Sequence, residues 1–326
     1  MEGRGFEVAS GVHRIEAPLG ERIVACHLVV GSDAALLVDT GVDATPAGSI
    51  LPYAASIGLD PARIRWVIVT HCDVDHMGGN AAFRELVPTA VFVAHDDDAD
   101  LIEDVDRIVD ERYSEFAAGH GIDIDDAMKS WCHEAARPTP VDLRVRGVRE
   151  SIRLGVDRTV ELVATPGHSP GSLSVWDPSG RALIVGDAVL GSTVRYADGR
   201  PAFPPTYRDP RDYRWTISGL ERFHARFLLT SHDPVFEGES VAAYLDESRA
   251  FAVRLEHEAL RELRAGGQRT TRDLIEVLAP RVGEWDRSAW PFLANELVGH
   301  LEELEADGVV GRSSGPDGLV GWEIAS

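Results

Sequence analysis

Lysine is almost missing from this chain: Lys129 is the single one among 32 basic residues, a bias of the kind that GC-rich bacterial coding leaves. Cysteine is nearly as scarce. Cys26, Cys72 and Cys132 are scattered, with no Cys-x-x-Cys spacing, which excludes a disulfide framework and a thiolate zinc cluster and fits a reducing compartment. No uninterrupted apolar run approaches the roughly 18 residues that a spanning helix needs, and the opening stretch MEGRGFEVASGVHRIE has no basic segment leading into an apolar one. The expectation is a cytoplasmic protein with no membrane partner. Net positive charge is lacking too: the chain carries −22 at pH 7, a field that repels polyanions at long range and argues against nucleic acid as a partner.

What is present suffices for a large domain and a small one, with 326 residues of which 44% are hydrophobic. Up to residue 95, the strand-like runs RIVACHLVVG, AALLVDTG, RWVIVTH and AVFVAH alternate with the helical runs TPAGSILPYAASIG and HMGGNAAFREL. Residues 97 to 136 are charged and helix-prone, and read as a helical insertion. A second strand-rich block follows in ESIRLG, TVELVATPG, SLSVWD and RALIVGD, punctuated by Gly and Pro. After FLLTSHDPVFEG the character changes to three helical stretches and a closing GVVGRSSGPDGLVGWEIA that reads as a hairpin. A domain boundary is expected near Gly238, giving domains 1–238 and 239–326.

Metal-ligating side chains recur at the C-terminal ends of the strand-like runs. His71, Asp73, Asp75 and His76 follow WVIVT in THCDVDHMGG; His168 sits in PGHSPGS, Asp187 in IVGD and His232 in LLTSH. Singly each is an ordinary turn residue. Jointly they converge only if they line one edge of the sheets, where a rigid backbone ends and side chains are free to project.

The order and context of VDTG, THCDVDHMGG, PGHSPGS, GD and SH resemble the metallo-β-lactamase fold superfamily over roughly residues 10 to 238. That resemblance implies an α/β, four-layer αββα sandwich with a two-metal site at one edge. Carried over, His71, Asp73 and His168 hold one metal, Asp75, His76 and His232 the other, and Asp187 bridges them, with Asp39 of VDTG behind the ligands. It also implies a hydrolase in which a hydroxide between two divalent ions attacks an ester, thioester or lactone of a small molecule, with Asp75 orienting the nucleophile and shuttling its proton. The usual motif, His-x-His-x-Asp-His, has Asp73 in place of its middle histidine here. A harder, anionic ligand admits iron or manganese beside zinc. It keeps open an iron-dependent redox or dioxygen-using member of the fold as the alternative, with an RNA-processing nuclease behind that.

Cys72, at an x position of the motif, reads as a packing residue, and His95, outside it, as a pocket-wall or helix-start residue. The run Asp96-Asp97-Asp98 fits helix capping. In the loop after Asp187, which is rich in Pro, Tyr and Arg, Phe203, Tyr207, Arg208 and Tyr213 are the candidate substrate contacts. The tail resembles a small, mainly α winged-helix domain. In its last helix Leu293, Leu297, Leu301 and Leu304 form a stripe, with Glu296, Glu302 and Glu303 opposite. From residue 241 onward there are 16 acidic against 9 basic residues, so the tail is expected to pack, cap the site or join a second copy of the chain rather than read nucleic acid.

Overall fold

The structure, a computed structural model, describes residues 4–315 and 318–325. Seven strands form the first sheet in the order Arg4–Ala9, Val12–Leu19, Arg22–Val30, Ala35–Val38, Ile64–Ile68, Val91–His95 and Leu143–Val145. The first four pair antiparallel and the last four run parallel. A second sheet runs Phe236–Glu237, Phe227–Thr230, Ala182–Gly186, Leu173–Asp177, Thr159–Ala164 and Arg149–Arg153; Ala182–Gly186 and Phe227–Thr230 are its parallel pair.

Alternation along the strands assigns the layers. Leu36, Val38 and Ile68 of the first sheet meet Val175, Ile184 and Leu229 of the second in the core between the sheets. Their neighbours Leu37, Val67 and Val69 point the other way, onto Ile50, Val74, Met77 and Phe83 of the first helical layer. On the far side Leu183, Val185 and Leu228 turn outward onto Tyr213, Ile217, Tyr244 and Phe251. The result is the expected four-layer α/β/β/α sandwich. Among the described residues, no helix is long and apolar enough to cross a membrane.

Several elements differ from the sequence reading. The strands Arg4–Ala9 and Val12–Leu19 carry a broken apolar alternation, because Arg14 and Glu16 are buried there. The run HMGGNAAFREL divides into Val74–Met77 and Asn80–Leu86. Its double glycine lies against the backbone: a Cβ at Gly79 would sit 2.4 Å from the Thr40 carbonyl oxygen. The helix expected around Pro52 begins as a π-helical turn at Pro46–Ile50 and continues as Leu51–Ser56, with Pro52 in its first turn, where its missing N–H costs nothing.

The tail consists of a 28-residue helix, Glu239–Gly266, the helices Thr271–Val282 and Ala294–Ala306, a 3-10 stretch Arg287–Leu293, and a three-stranded sheet of Arg269–Thr270, Val320–Ile324 and Val310–Ser314. Val310–Ser314 and Val320–Ile324 pair antiparallel, as the hairpin reading expected; residues 316 and 317 lie outside the described residues. The leucine stripe is buried as expected, but Glu296 is buried as well, because its helix is enclosed by Pro210–Glu221 on one side and Glu239–Gly266 on another. The apolar cluster on the outer face of the second sheet continues without a break into the tail, to Leu297, Leu301 and Trp322.

That continuity sets an expectation for a chain ending at Gly238. It would expose Leu183, Val185, Ile217 and Leu228 together, a patch large enough to drive association. The shortened chain is expected to aggregate or to bind a hydrophobic dye strongly. A monomeric, dye-silent species on size-exclusion chromatography, melting with the full chain, would contradict the shared core.

Candidate metal centre

The parallel strands bring their C-terminal ends to one edge of the sandwich. Ala35–Val38 delivers Asp39, Ile64–Ile68 delivers Thr70 and His71, Ala182–Gly186 delivers Asp187, and Phe227–Thr230 delivers His232. Backbone bonds clamp the two sheets together at this edge: Leu173 N–H donates to the Thr70 carbonyl at 2.8 Å, and Ala25 N–H to that of Ser231 at 2.8 Å. Gly186, at φ +53°, lets the strand turn into Asp187; a Cβ there would lie 2.8 Å from Thr70 Oγ1. In the loop that carries His168, Gly167 at φ +133° presses on the backbone of Tyr213. Both positions need a residue without a side chain. Buried Arg14 steadies the His232 loop by donating to the carbonyls of Thr230 at 2.5 Å and Asp233 at 2.7 Å.

All four histidines are fixed in the same way. Nδ1 of His76 lies 2.8 Å from Asp39 Oδ2, that of His232 2.9 Å from the Ile23 carbonyl oxygen, and that of His168 2.6 Å from the Thr206 carbonyl oxygen. His71 Nδ1 lies 2.9 Å from Thr70 Oγ1, whose own proton is donated to Asp39 Oδ2 at 2.8 Å. Every partner is an acceptor, so each ring carries a proton on Nδ1 and turns Nε2 inward. Asp39 takes a left-handed backbone, φ +60°, to collect the Thr70 N–H, the Thr70 hydroxyl and His76 on one carboxylate.

Inside this ring the expected ligands converge. One donor atom each from His71, His168 and Asp187 lies within 4.8 Å of the others, and the same holds for Asp75, His76 and His232. Asp187 Oδ2 is also 3.2 Å from His232 Nε2 and 3.5 Å from His76 Nε2, which puts its carboxylate between the two groups. Nε2 of His71, Nε2 of His76 and Oδ1 of Asp187 are buried with no hydrogen-bond partner. Orphaned buried donor atoms in two adjoining clusters of imidazole and carboxylate fit divalent metal ions, which would satisfy them all.

Charge crowding shows in the acidities. Burial opposes protonation of His76, but the carboxylates of Asp187 and Asp39 outweigh it and hold its pKa well above the usual imidazole range. Burial works against ionising Asp187, yet the imidazoles of His232 and His76 keep its pKa well below the usual carboxylate range.

Asp73 has a partner that the sequence did not announce. Its Oδ2 lies 3.5 Å from His71 Nε2 and 2.9 Å from His168 Nε2, at the expected first cluster. The same carboxylate is gripped on both oxygens by the Arg112 guanidinium, which also donates to His168 Nε2 at 3.1 Å. Arg112 comes from the helical insertion, in the segment Ile108–Tyr113. Burial works against ionising Asp73, and the Arg112 charge overrides it to hold the pKa far down. Asp98 was also missed. Beyond its place in the capping run, its carboxylate accepts from the Cys72 N–H, the Ser169 hydroxyl and the Gly171 N–H, tying the His71 loop to the His168 loop. Cys72 packs in the core and His95 starts a helix, as expected.

The centre forms the floor of a cleft of about 440 Å³. Of the four expected substrate contacts, Phe203 lines it. Tyr207 and Tyr213 are fully buried and stacked on each other, with Tyr207 Oη 2.9 Å from His300 Nε2 and the Tyr213 hydroxyl accepting from Leu190 N–H. Arg208 is tied to Glu115 and Glu302. These three join the loop to the tail helices; they do not face the cleft.

A sandwich with this edge defines a class, and the sequence comparison agrees. The family model described as the metallo-beta-lactamase superfamily matches residues 19–232, and the chain belongs to that superfamily. It is 24% identical over 280 residues to the Beta-lactamase-like protein 2 homolog of Caenorhabditis elegans, covering 84% of this chain and 76% of that one. It is 24% identical over 265 residues to the Probable metallo-hydrolase YflN of Bacillus subtilis, covering 75% and 92%. The crystal structure of a metallo-beta-lactamase family protein from Thermus thermophilus superposes with a TM-score of 0.73 at 22% identity, over 98% of this chain and 100% of that one. The fold is therefore shared along nearly the whole length, tail included.

Removing Arg112 tests its compensating charge. Metal-stripped Arg112→Gln is expected to lose about 3 kcal/mol, because the buried Asp73 carboxylate is left without its cation. Zinc should restore more stability to the variant than to the wild type. Urea unfolding with and without zinc reads both effects, and equal stability of the two stripped proteins would contradict the pairing.

Proposed function

We propose that this protein is a metal-dependent hydrolase that cleaves an ester, thioester or lactone of a small molecule, with zinc as the first candidate metal and two ions as the expected complement. The observation that carries the reading is the common Nδ1 protonation of His71, His76, His168 and His232, whose Nε2 atoms face one another and Asp187 at the floor of a cleft. Divalent ions bound there would supply Lewis acidity toward a carbonyl oxygen and lower the pKa of water.

The chain's own residues supply the rest. Asp187 and the four imidazoles would hold the ions, and Asp39, Thr70 and Asp98 keep those side chains from rotating. Asp75 combines two features of a proton carrier: its carboxylate reaches to 3.5 Å from His232 Nε2, and it lines the cleft. It is the group to accept the proton of the attacking water and pass it to the leaving group. The Arg112 guanidinium, paired with Asp73 and donating to His168 Nε2, holds that carboxylate and that ring in place beside the cleft.

The redox alternative drew on Asp73 as a hard ligand, and a carboxylate already gripped by Arg112 offers it less. The RNA-processing reading meets the opposing charge of −22 and an acidic tail.

Asp187→Ala removes a donor from both clusters at once. It is expected to lower bound metal and to cut turnover by at least about a hundredfold. Elemental analysis, with a panel of ester, thioester, lactone and phosphodiester substrates, tests this. A variant with wild-type metal content and rate would remove Asp187 from its role, and wild-type cleavage confined to the phosphodiester would remove the proposed substrate class.

A further inference from the structure

The walls of the cleft differ sharply from its floor. Its apolar lining comes from the helical insertion, with Phe116, Ile122, Ile124 and Met128, from Phe203 and, in the tail, from Phe292. The floor is carboxylate and imidazole. Between floor and wall stands Arg22, at the start of the strand Arg22–Val30. Its guanidinium carbon lies 4.7 Å from the centroid of the Phe203 ring, so the planar group rests on an aromatic face and its N–H edge is left for another partner.

Nearly every other charge in the cleft is already engaged. Arg112 is committed to Asp73, Asp123 to Lys129 at 2.8 Å, and Asp125 to capping the helix Asp126–Ala135 through the Met128 N–H. Asp75, Asp187 and His232 belong to the metal centre. Among the described residues the Arg22 guanidinium makes no hydrogen bond and no ion pair, on a chain where carboxylates outnumber basic groups by 54 to 32. A half-buried cation that has found no carboxylate on so acidic a protein, and is held in place beside His232, is built for an anion that arrives from outside.

We infer that Arg22 is a specificity-determining residue, which binds a carboxylate on the substrate while an apolar portion of the same molecule lies against Phe116, Ile122, Met128 and Phe292. This rests on the hydrolase reading and narrows it to amphipathic, singly charged esters, thioesters or lactones. Size and field both favour one carboxylate over a polyanion: the cleft holds about 440 Å³, and the net charge of −22 repels multiply charged ligands on approach. Phe203 is the positioning residue that keeps the guanidinium aimed.

Two measurements separate this inference from the reading beneath it. The first compares turnover by zinc-loaded protein of 4-nitrophenyl hexanoate with that of the mono-4-nitrophenyl half-esters of succinate, glutarate and adipate, which bracket the reach to Arg22. For the best-fitting half-ester, kcat/KM is expected to exceed that of the neutral ester by about tenfold, mostly through KM. The ratio should fall towards one in Arg22→Gln, recover in part in Arg22→Lys, and shrink in Phe203→Leu. The second is equilibrium binding by calorimetry of the matching non-hydrolysable anilides, charged and neutral, to wild type and Arg22→Gln. A charged-over-neutral preference that disappears with Arg22 supports the inference even if no ester is turned over, an outcome that would sink only the proposed reaction. No preference in the wild type, or a preference that persists undiminished in Arg22→Gln, overturns it; in the latter case the carboxylate is held by the metal centre.

Discussion

Everything at the edge of this sandwich depends on compensating buried charge. Asp39, Asp73, Asp98, Asp187 and four imidazoles share one water-poor space, and a carboxylate taken from water without a partner costs more than a domain can spare. Three of the four carboxylates are matched to donors. Asp39 gathers three hydrogen bonds, Asp98 three, and Asp73 the fork of Arg112. What remains unmatched there is Nε2 of His71, Nε2 of His76 and Oδ1 of Asp187. The same accounting that explains the ordered surroundings leaves an opening with the chemistry of a divalent cation.

The fold delivers that arrangement because strand ends are stiff and loops are free. Two sheets bring Asp39, His71, Asp187 and His232 to one edge, with hydrogen bonds between the sheets closing it. The helical insertion and the tail then build the walls. The tail shares its core with the second sheet and supplies Ser288, Pro291, Phe292 and Asn295 to the cleft. The floor of the cleft is thus built mainly by strand ends of the sandwich, and much of its apolar lining by segments added to it, with Arg22 and Phe203 contributed by the sandwich itself.

How much of this was legible in the sequence follows the range of the interactions. The αββα layering was legible through the family resemblance of the motifs, and so was the convergence of the candidate ligands at one edge, six of which gather in two groups while Asp73 lies beside them in the grip of Arg112. Arg112 was not, since it sits 39 residues from Asp73 in a segment with no motif, and only tertiary packing turns it toward the centre. Asp98 looked like one capping residue among three, and its burial against Ser169 and Gly171 is a long-range fact. Tyr207 and Tyr213 lay in a loop whose composition suggested contacts with substrate; burial under the tail helices, invisible in a local reading, made them packing residues. Glu296 fell opposite a leucine stripe, where helical periodicity puts solvent, but its helix is covered on more than one side. Arg22 carried no signal at all, because its interest lies in the want of a partner among the described residues, which depends on packing far along the chain.

The central claim is that four histidines, locked by their Nδ1–H bonds, aim Nε2 at bound metal. Long-range proton–nitrogen NMR of the imidazoles, recorded on chelator-stripped protein and again with saturating zinc, tests it directly. The expected result is that His71, His76, His168 and His232 show large zinc-induced shifts at Nε2, keep protonated Nδ1, and stand apart from the other eight of the chain's 12 histidines. Nε2 signals of these four that zinc leaves unmoved, or coordination through Nδ1, would contradict the account.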